Sequence, residues 1–323
     1  MLLLCINFYD CKKNDSKQLS SSDIIKIEEE LCYDKKSRKK FNPNLYKYLK
    51  SLKIVNYENL ITRDNYNPTF VMAVSNYFVP RGLALMKSIF ENFPKSKLIV
   101  YDLGVSRKNV KKIKKTCNII YKKFKFNYYP YHVSHLSNYA FKAIVISEAL
   151  RDYGSIWYLD SSVSIRTSNL TKVYNLMNNK KSSYILHDPT GHGIAAGTDT
   201  DLYLYLPTNI NEIVSKKSSM YQAGLIYVKK DKESIDKILK WYILCSLTKE
   251  CISPKNAKQK CLKFLNNNYG YNKKHCHRYD QSIINILLWN AYKGDIYEYT
   301  SGVNDFYKID RQQIGKWNKK WFC

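Results

Sequence analysis

The chain has 323 residues, 45% of them hydrophobic, and carries 53 lysines and arginines against 27 acidic residues, for a formal net charge of +26. This length allows one large domain with an appendage, and no apolar run reaches the ~18–20 residues that cross a bilayer. The lysines are spread along the chain without zinc-finger spacing, an aromatic-glycine RNA signature or a basic zipper, so the charge reads as compositional and no nucleic-acid partner is expected. The functional alternative is an acidic partner: a nucleotide sugar, a sulfated or carboxylated glycan, an anionic membrane surface or a nucleic acid.

Residues 1–65 are polar, lysine-rich and weakly patterned, and read as a stem or arm. The opening "MLLLCINFY" is apolar but short, and lacks a basic leader and a small-residue cleavage site. It is either the remnant of a signal or anchor, or a plain start; membrane association is expected only through an anchor outside this sequence. One short helix is expected in "DSKQLSSSDIIKIEEELCYDKKSRKK", opened by the serines before Asp23.

At residue 68 the texture changes, and a domain is expected over 66–300 with a tail over 301–323. "PTFVMAVS" (68–75) is a continuous apolar run, hence a buried strand, followed by helical spacing in "PRGLALMKSIFENFP" (80–94). Then come a strand "KLIVYDLG" (97–104), a helix "SRKNVKKIKKTC" (106–117) capped by Ser106, and a strand "NIIYKKFKF" (118–126). A helix over 137–154 leads into "SIWYLDSSV" (155–163), a strand ending on Asp160. Strands alternating with helices predict an α/β fold with a mostly parallel, doubly wound sheet flanked by helices, whose ligands bind at the carboxyl ends of strands. The second half is less regular. A strand and the glycine-rich "GHGIAAG" (191–197), a candidate lid, precede an apolar strand over 220–230 interrupted by "QAG" (222–224). Helices follow over 233–247 and 278–292, the second opened by Asp280.

Four of the nine cysteines, Cys245, Cys251, Cys261 and Cys276, fall in one stretch without the paired spacing of zinc sites. Disulfides stapling a cysteine-rich insertion are expected, which places the chain in an oxidising compartment: the Golgi or ER lumen, or outside the cell. Cys276 lies between His275 and His277, which leaves a metal alternative open, and the sequons at Asn14 and Asn169 are compatible with secretion.

Asp160 is the first candidate for chemistry. A nucleoside diphosphate leaving a sugar develops charge that Mg²⁺ or Mn²⁺ commonly neutralises through hard oxygen ligands. A carboxylate at a strand's carboxyl end is placed for this, with Ser162 on the same face offering a neutral hydroxyl where a second acid would serve better. Lys142 or Arg166 offers direct electrostatic stabilisation instead. The alternative is that Asp160 caps a turn with the serines. Likewise "QAG" is either a bulge or a close approach to a ligand, and Asp280 is either a helix cap or a contact to an acceptor hydroxyl.

Taken in order, "AVSNYFVPRGLALMKSI" (73–89), "WYLDSSV" (157–163), "YQAGLIYV" (221–228) and "YDQSIINIL" (279–287) resemble the GT-A glycosyltransferases, in particular the glycogenin-like family eight. The phrases "VYDLGVS", "YAFKAIVISEALRDYGSIWYLDSSV", "WYILCSLTKECISPK" and "CHRYDQSIINILL" are similar, more closely, to an uncharacterised animal family of glycosyltransferase-like domains. The resemblance spans roughly 68–300. It implies the GT-A nucleotide-diphospho-sugar transferase fold, a nucleotide-sugar donor and a glycan or protein hydroxyl acceptor. It also implies a nucleotide end at Ser75, Asn76 and Tyr77, and catalytic roles for Asp160, Asp280 and Lys142, the last as a phosphate partner. Gln222, Ala223, Gly224, Gln281 and His277 would border the sugar and acceptor pocket. Asp160 with Ser162 would be the metal position for Mn²⁺ or Mg²⁺. Two departures matter: Ser162 and Ser282 stand where the glycogenin-like pattern has acids, which puts metal dependence in doubt and keeps a non-catalytic glycan- or nucleotide-binding protein as the alternative. The glycogenin-like tail motif has only a faint echo in "RQQIGKWNKKW" (311–321), with Arg311 at the place of its histidine.

Overall fold

A computed structural model describes residues 21–55, 68–261 and 276–323. The apolar start, the Asn14 sequon and His275 lie outside them. The described residues form ten strands: β1 (Phe70–Val74), β2 (Leu98–Asp102), β3 (Ile119–Lys123), β4 (Ser155–Leu159), β5 (Val163–Ile165), β6 (Tyr184–Ile185), β7 (Pro189–Gly193), β8 (Ser219–Tyr221), β9 (Leu225–Lys229) and β10 (Tyr307–Ile309). Six form one sheet in the order β3-β2-β1-β4-β9-β6. The first four are parallel, and β9 runs antiparallel to β4 and β6. This is the expected α/β architecture.

Side-chain alternation divides the sheet between two cores. Phe70, Met72, Leu98, Val100, Trp157 and Leu159 face one, packed under the Val79–Asn92 helix. Val71, Ile99, Tyr101, Ile156 and Tyr158 face the other, with the Phe141–Tyr153, Lys240–Leu247 and Asp280–Ala291 helices. Coverage of both faces is why the strands read as nearly continuous apolar runs.

Four expectations need correction. The supposed stem delivers Ile27, Leu31, Phe41, Leu49, Leu52 and Ile54 to the second core, with Phe41 stacked on Tyr205 at 5.4 Å. The supposed tail supplies β10, antiparallel to β5, and ends in a disulfide between Cys117 and Cys323. The apolar run over 220–230 is two strands, broken at Gln222–Gly224, with β8 leaving the main sheet to pair with β7. The candidate lid is held rather than mobile: Ile194 and Ala196 are buried, and a Cβ on Gly197 would stand 2.8 Å from Met220 Cε. Smaller differences follow local geometry. The Phe141–Tyr153 helix begins later than expected, after a left-handed Tyr139, and Ser106 sits at the N-cap of its helix without a side-chain cap bond.

The expected cysteines pair as Cys245–Cys251 and Cys261–Cys276. His192 lies against the second pair, but both sulfurs are in the disulfide, so no thiolate is offered to a metal there. Among the described residues no helix is long and apolar enough to cross a membrane.

Candidate functional site

The carboxyl edge of the parallel strands gathers chain from four places. Ser75 follows β1, Leu103 follows β2, Asp160 to Ser162 follow β4, and Gln222 to Gly224 precede the antiparallel β9. All line one cleft of about 560 Å³, closed on another side by Asp280 and Gln281 at the start of their helix. The strand break at Gln222–Gly224 is what admits Asp160. The Asp160 amide donates to Gly224 O at 2.7 Å, and a Cβ on Gly224 would stand 3.2 Å from Asp160 Oδ2. Behind the break, the Asn285 amide donates to Tyr221 O and accepts from Tyr221 N, both at 2.8 Å, fixing the last helix to β8.

Lys142 lies at the floor of the cleft with only 2% of its side chain exposed. Its ammonium is 2.7 Å from Asp280 Oδ2 and 3.4 Å from Asp160 Oδ2, and donates to Ala223 O at 3.0 Å. The rings of Tyr139 and Tyr158 stand 5.3 and 5.4 Å from it. Two hydrogen bonds, to Asp160 Oδ2 and Ala223 O, and the ion pair with Asp280 thus engage the ammonium on three sides. Burial pulls the Lys142 pKa down, but the charges of Asp160 and Asp280 outweigh it, and the net shift is upward. Asp280, 6% exposed, is pushed up by burial against the opposing pull of Lys142. Asp160 keeps a third of its side chain exposed and accepts from the Tyr158 hydroxyl at 3.2 Å. The sequence thus yields a lysine bridging two carboxylates of unequal exposure.

Of the sequence-predicted residues, the cleft brings together Ser75, Lys142, Asp160, Ser162, Gln222, Ala223, Gly224, Asp280 and Gln281. Three stand elsewhere. Asn76 turns away and accepts from the Ser106 amide at 3.0 Å. Tyr77 is 79% exposed beside Phe78 and is not in the cleft wall. His277 is buried, accepting from Asp199 N through Nδ1 and lying 3.1 Å from Ile252 O through Nε2, so it ties neighbouring segments together and is not in the cleft wall. Lys142, expected as a phosphate partner, lies between the two acids. Asp280 is not a helix cap: the N-cap is Tyr279, and the carboxylate turns to Lys142. Ser282 donates to Gly197 O at 2.7 Å and accepts from Arg278 N at 2.8 Å, a structural role outside the cleft wall.

Sequence reasoning missed the cleft's arginines, Arg81 and Arg278, and set Arg311 aside. Arg311 arrives because β10 pairs Ile309 with Val163, the Asp310 amide donates to Ser162 O at 2.7 Å, and the Gln313 amide donates to Ser161 O at 2.7 Å. Gly315 lets the tail lie on the Val79–Asn92 helix, where a Cβ would stand 2.3 Å from Ala84 N. Also missed were Tyr139 (φ 58°) and Tyr279 (φ 50°), non-glycine residues with positive φ that both line the cleft. Such backbone costs on the order of 1–3 kcal/mol and concentrates at functional sites. The faint tail motif was a usable signal for Arg311; no sequence signal marks the two tyrosines.

Residues 21–147 match a family described as "Protein of unknown function (DUF1647)". No curated protein matches. Among solved structures, the chain is similar to the galactosyltransferase LgtC in complex with donor and acceptor sugar analogues, at 14% identity and a TM-score of 0.43, over 78% of this chain and 90% of that one. It is similar to the bifunctional glycosyltransferase WbbM at 14% identity and a TM-score of 0.44, covering 76% of this chain and 40% of WbbM. A third likeness is to mouse xyloside xylosyltransferase 1, at 9% identity and a TM-score of 0.38, over 73% and 85% of the two chains. At these values the likenesses set no activity for this chain.

A divalent ion at Asp160 can be tested against the side chains around it. Mg²⁺ and Mn²⁺ want several hard oxygens and a surplus of negative charge. Asp160 supplies one carboxylate, already shared with the Lys142 ammonium and the Tyr158 hydroxyl. Ser162 adds no charge, and Asp280 is buried against Lys142. Four cationic side chains against two carboxylates line the cleft, an excess of two positive charges. This donor set does not fit a divalent ion.

Proposed function

We propose that this chain is a glycosyltransferase of GT-A type, which moves a sugar from a nucleotide-diphosphate donor to a hydroxyl of a glycan or protein in the secretory pathway. The observation that carries this is the Lys142-bridged pair of carboxylates at the carboxyl edge of a parallel sheet, in a cleft large enough for a nucleotide sugar. In the reaction the acceptor oxygen bonds to the anomeric carbon while the carbon–oxygen bond to the diphosphate breaks; the electron pair leaves with the nucleoside diphosphate, whose phosphate oxygen takes up the acceptor's hydroxyl proton. Asp160, the more exposed acid, accepts hydrogen bonds from sugar or acceptor hydroxyls. Gln281, 9% exposed in the cleft wall, has an amide nitrogen without a hydrogen-bond partner among the described residues, and donates to the same sugar. Three disulfides agree with a lumenal or secreted setting.

The test is turnover of UDP- and GDP-sugars by the purified chain and by Asp160→Ala. Release of nucleoside diphosphate should fall by at least ~10²-fold in the variant with Tm little changed; near-wild-type turnover would refute the assignment. Ser162 favours a second reading, a non-catalytic nucleotide- or glycan-binding protein, which predicts binding without turnover. Ser282 gives that reading no support, because its hydroxyl is engaged structurally.

A further inference from the structure

Granting the glycosyltransferase reading, the structure assigns neutralisation of the donor's diphosphate to three arginines, Arg81, Arg278 and Arg311, in place of a divalent metal. The inference starts from which cations of the cleft are already engaged. Lys142 is already committed: it pairs with both carboxylates, at 2.7 and 3.4 Å, and donates to Ala223 O at 3.0 Å. The arginines differ: among the described residues, none of their guanidinium groups lies within ion-pair distance of a carboxylate. Arg278 donates through one terminal nitrogen to Gln259 O at 2.9 Å, while its buried Nε has no partner. Arg81 is held over the Phe78 ring at 5.3 Å, at the start of the helix that follows β1. Arg311 projects from the segment pinned to the Asp160–Val163 turn, beside the position where a second acid would have held a metal.

Guanidinium groups bind phosphate oxygens through paired N–H donors and stay charged throughout, which a compact ammonium does not match in geometry. The excess of two positive charges in the wall meets the negative charge of a nucleotide-sugar diphosphate, and grows in value as the departing diphosphate gains charge. Loss of the acid at position 162 belongs to the same arrangement. A second carboxylate there would pair with Arg311 and compete with the phosphate.

The test is nucleotide binding by calorimetry on the full chain, with UDP, GDP and dTDP each as probe, in Mn²⁺ and in EDTA. One nucleotide should bind with a Kd that agrees within about twofold in the two buffers. Arg311→Ala, at an exposed position, should weaken it by roughly tenfold with unchanged Tm of the free protein, and Arg311→Lys should recover part of the loss. Asp160→Asn removes a negative charge from the cleft and should leave binding unchanged or tighter. Binding that needs Mn²⁺ and is lost in Asp160→Asn would overturn the arginine assignment while the glycosyltransferase reading stood. Failure of all three nucleotides in both buffers would remove that reading, and this inference with it.

Discussion

Replacing Lys142 by methionine keeps the length of the side chain and removes the charge that joins two acids. Lys142 and Asp280 are 2% and 6% exposed and 2.7 Å apart, so the variant leaves a buried carboxylate without its partner. Breaking a buried pair in this way costs about 3–5 kcal/mol. With each kcal/mol worth about 2–4 °C in a large domain, Tm should fall by roughly 6–20 °C. The sign of the pH dependence distinguishes this cause from lost packing. The Asp280 carboxyl, already raised above its ordinary 3.8 by burial with Lys142 pulling it down, rises further once that pull is gone. A raised folded value means that stability is fully present below the unfolded pKa and is lost as pH climbs through the folded one. The stability gap between Lys142→Met and wild type should therefore be small near pH 4 and larger at pH 8, read by urea unfolding at each pH. Adding Asp280→Leu removes the stranded charge and should restore most of the loss, with a coupling of at least ~2 kcal/mol. A gap that is the same at both pH values, or no coupling in the double variant, would refute the bridged arrangement.

Gly224→Ala places a methyl 3.2 Å from Asp160 Oδ2 and should lower turnover by about 10–100-fold with little change in Tm; full turnover would show that the carboxylate's position is not critical. His187 stacks on Trp157 at 5.4 Å and bonds Ser301 Oγ at 2.8 Å, and burial lowers its pKa from 6.5 to about 3. The unfolded chain then takes up a proton the folded chain refuses, so stability present above pH 6.5 should fall at about 1.4 kcal/mol per pH unit as pH drops towards 3. His187→Gln should lose that slope in an acid unfolding series, and an unchanged slope would assign it to other groups. The Cys117–Cys323 bridge closes a separation of 206 residues, and Cys323→Ser should cost up to about 5 kcal/mol in denaturant unfolding under oxidising conditions. A loss below ~1 kcal/mol would mean that β10 and the tail's backbone bonds suffice to hold it.

The first half of the sheet was legible because its strands are buried on both faces and separated by helices with their own periodicity. Phe70–Val74, Leu98–Asp102 and Ser155–Leu159 each stand out as apolar runs, and Asp160 is legible as the polar residue that ends one of them. Contacts between distant segments were not legible. Ile27 to Ile54 are diluted among lysines, and the surfaces they cover, Tyr205 and Trp241 among them, lie some 160 residues or more along the chain. The split at Gln222–Gly224 looked like one strand because both sides are apolar; only the pairing of β8 with β7 separates them. Within the site, residue types were legible and their partners were not. Lys142 is a lysine on an apolar helix, and nothing local says that its three acceptors come from Asp160, Ala223 and Asp280. Tyr139 and Tyr279 look like ordinary aromatic residues because a positive φ leaves no mark in composition.

The serine at 162 and the lysine at 142 are best understood together. With a carboxylate at each of 160, 162 and 280, a single buried ammonium would leave a surplus of negative charge, which a dication satisfies. With serine at 162, Lys142 neutralises Asp280 and shares Asp160, and the floor of the cleft retains about one negative charge at its exposed end. That residual charge is too small to recruit a divalent ion against the arginines around it, yet suffices to orient a hydroxyl. On the proposed assignment, two tasks that a metal site combines are separated: acids at the floor for the sugar, and guanidinium groups on the wall for the phosphates. The separation leaves each task open to removal by its own substitution, Asp160→Ala for transfer and Arg311→Ala for nucleotide affinity.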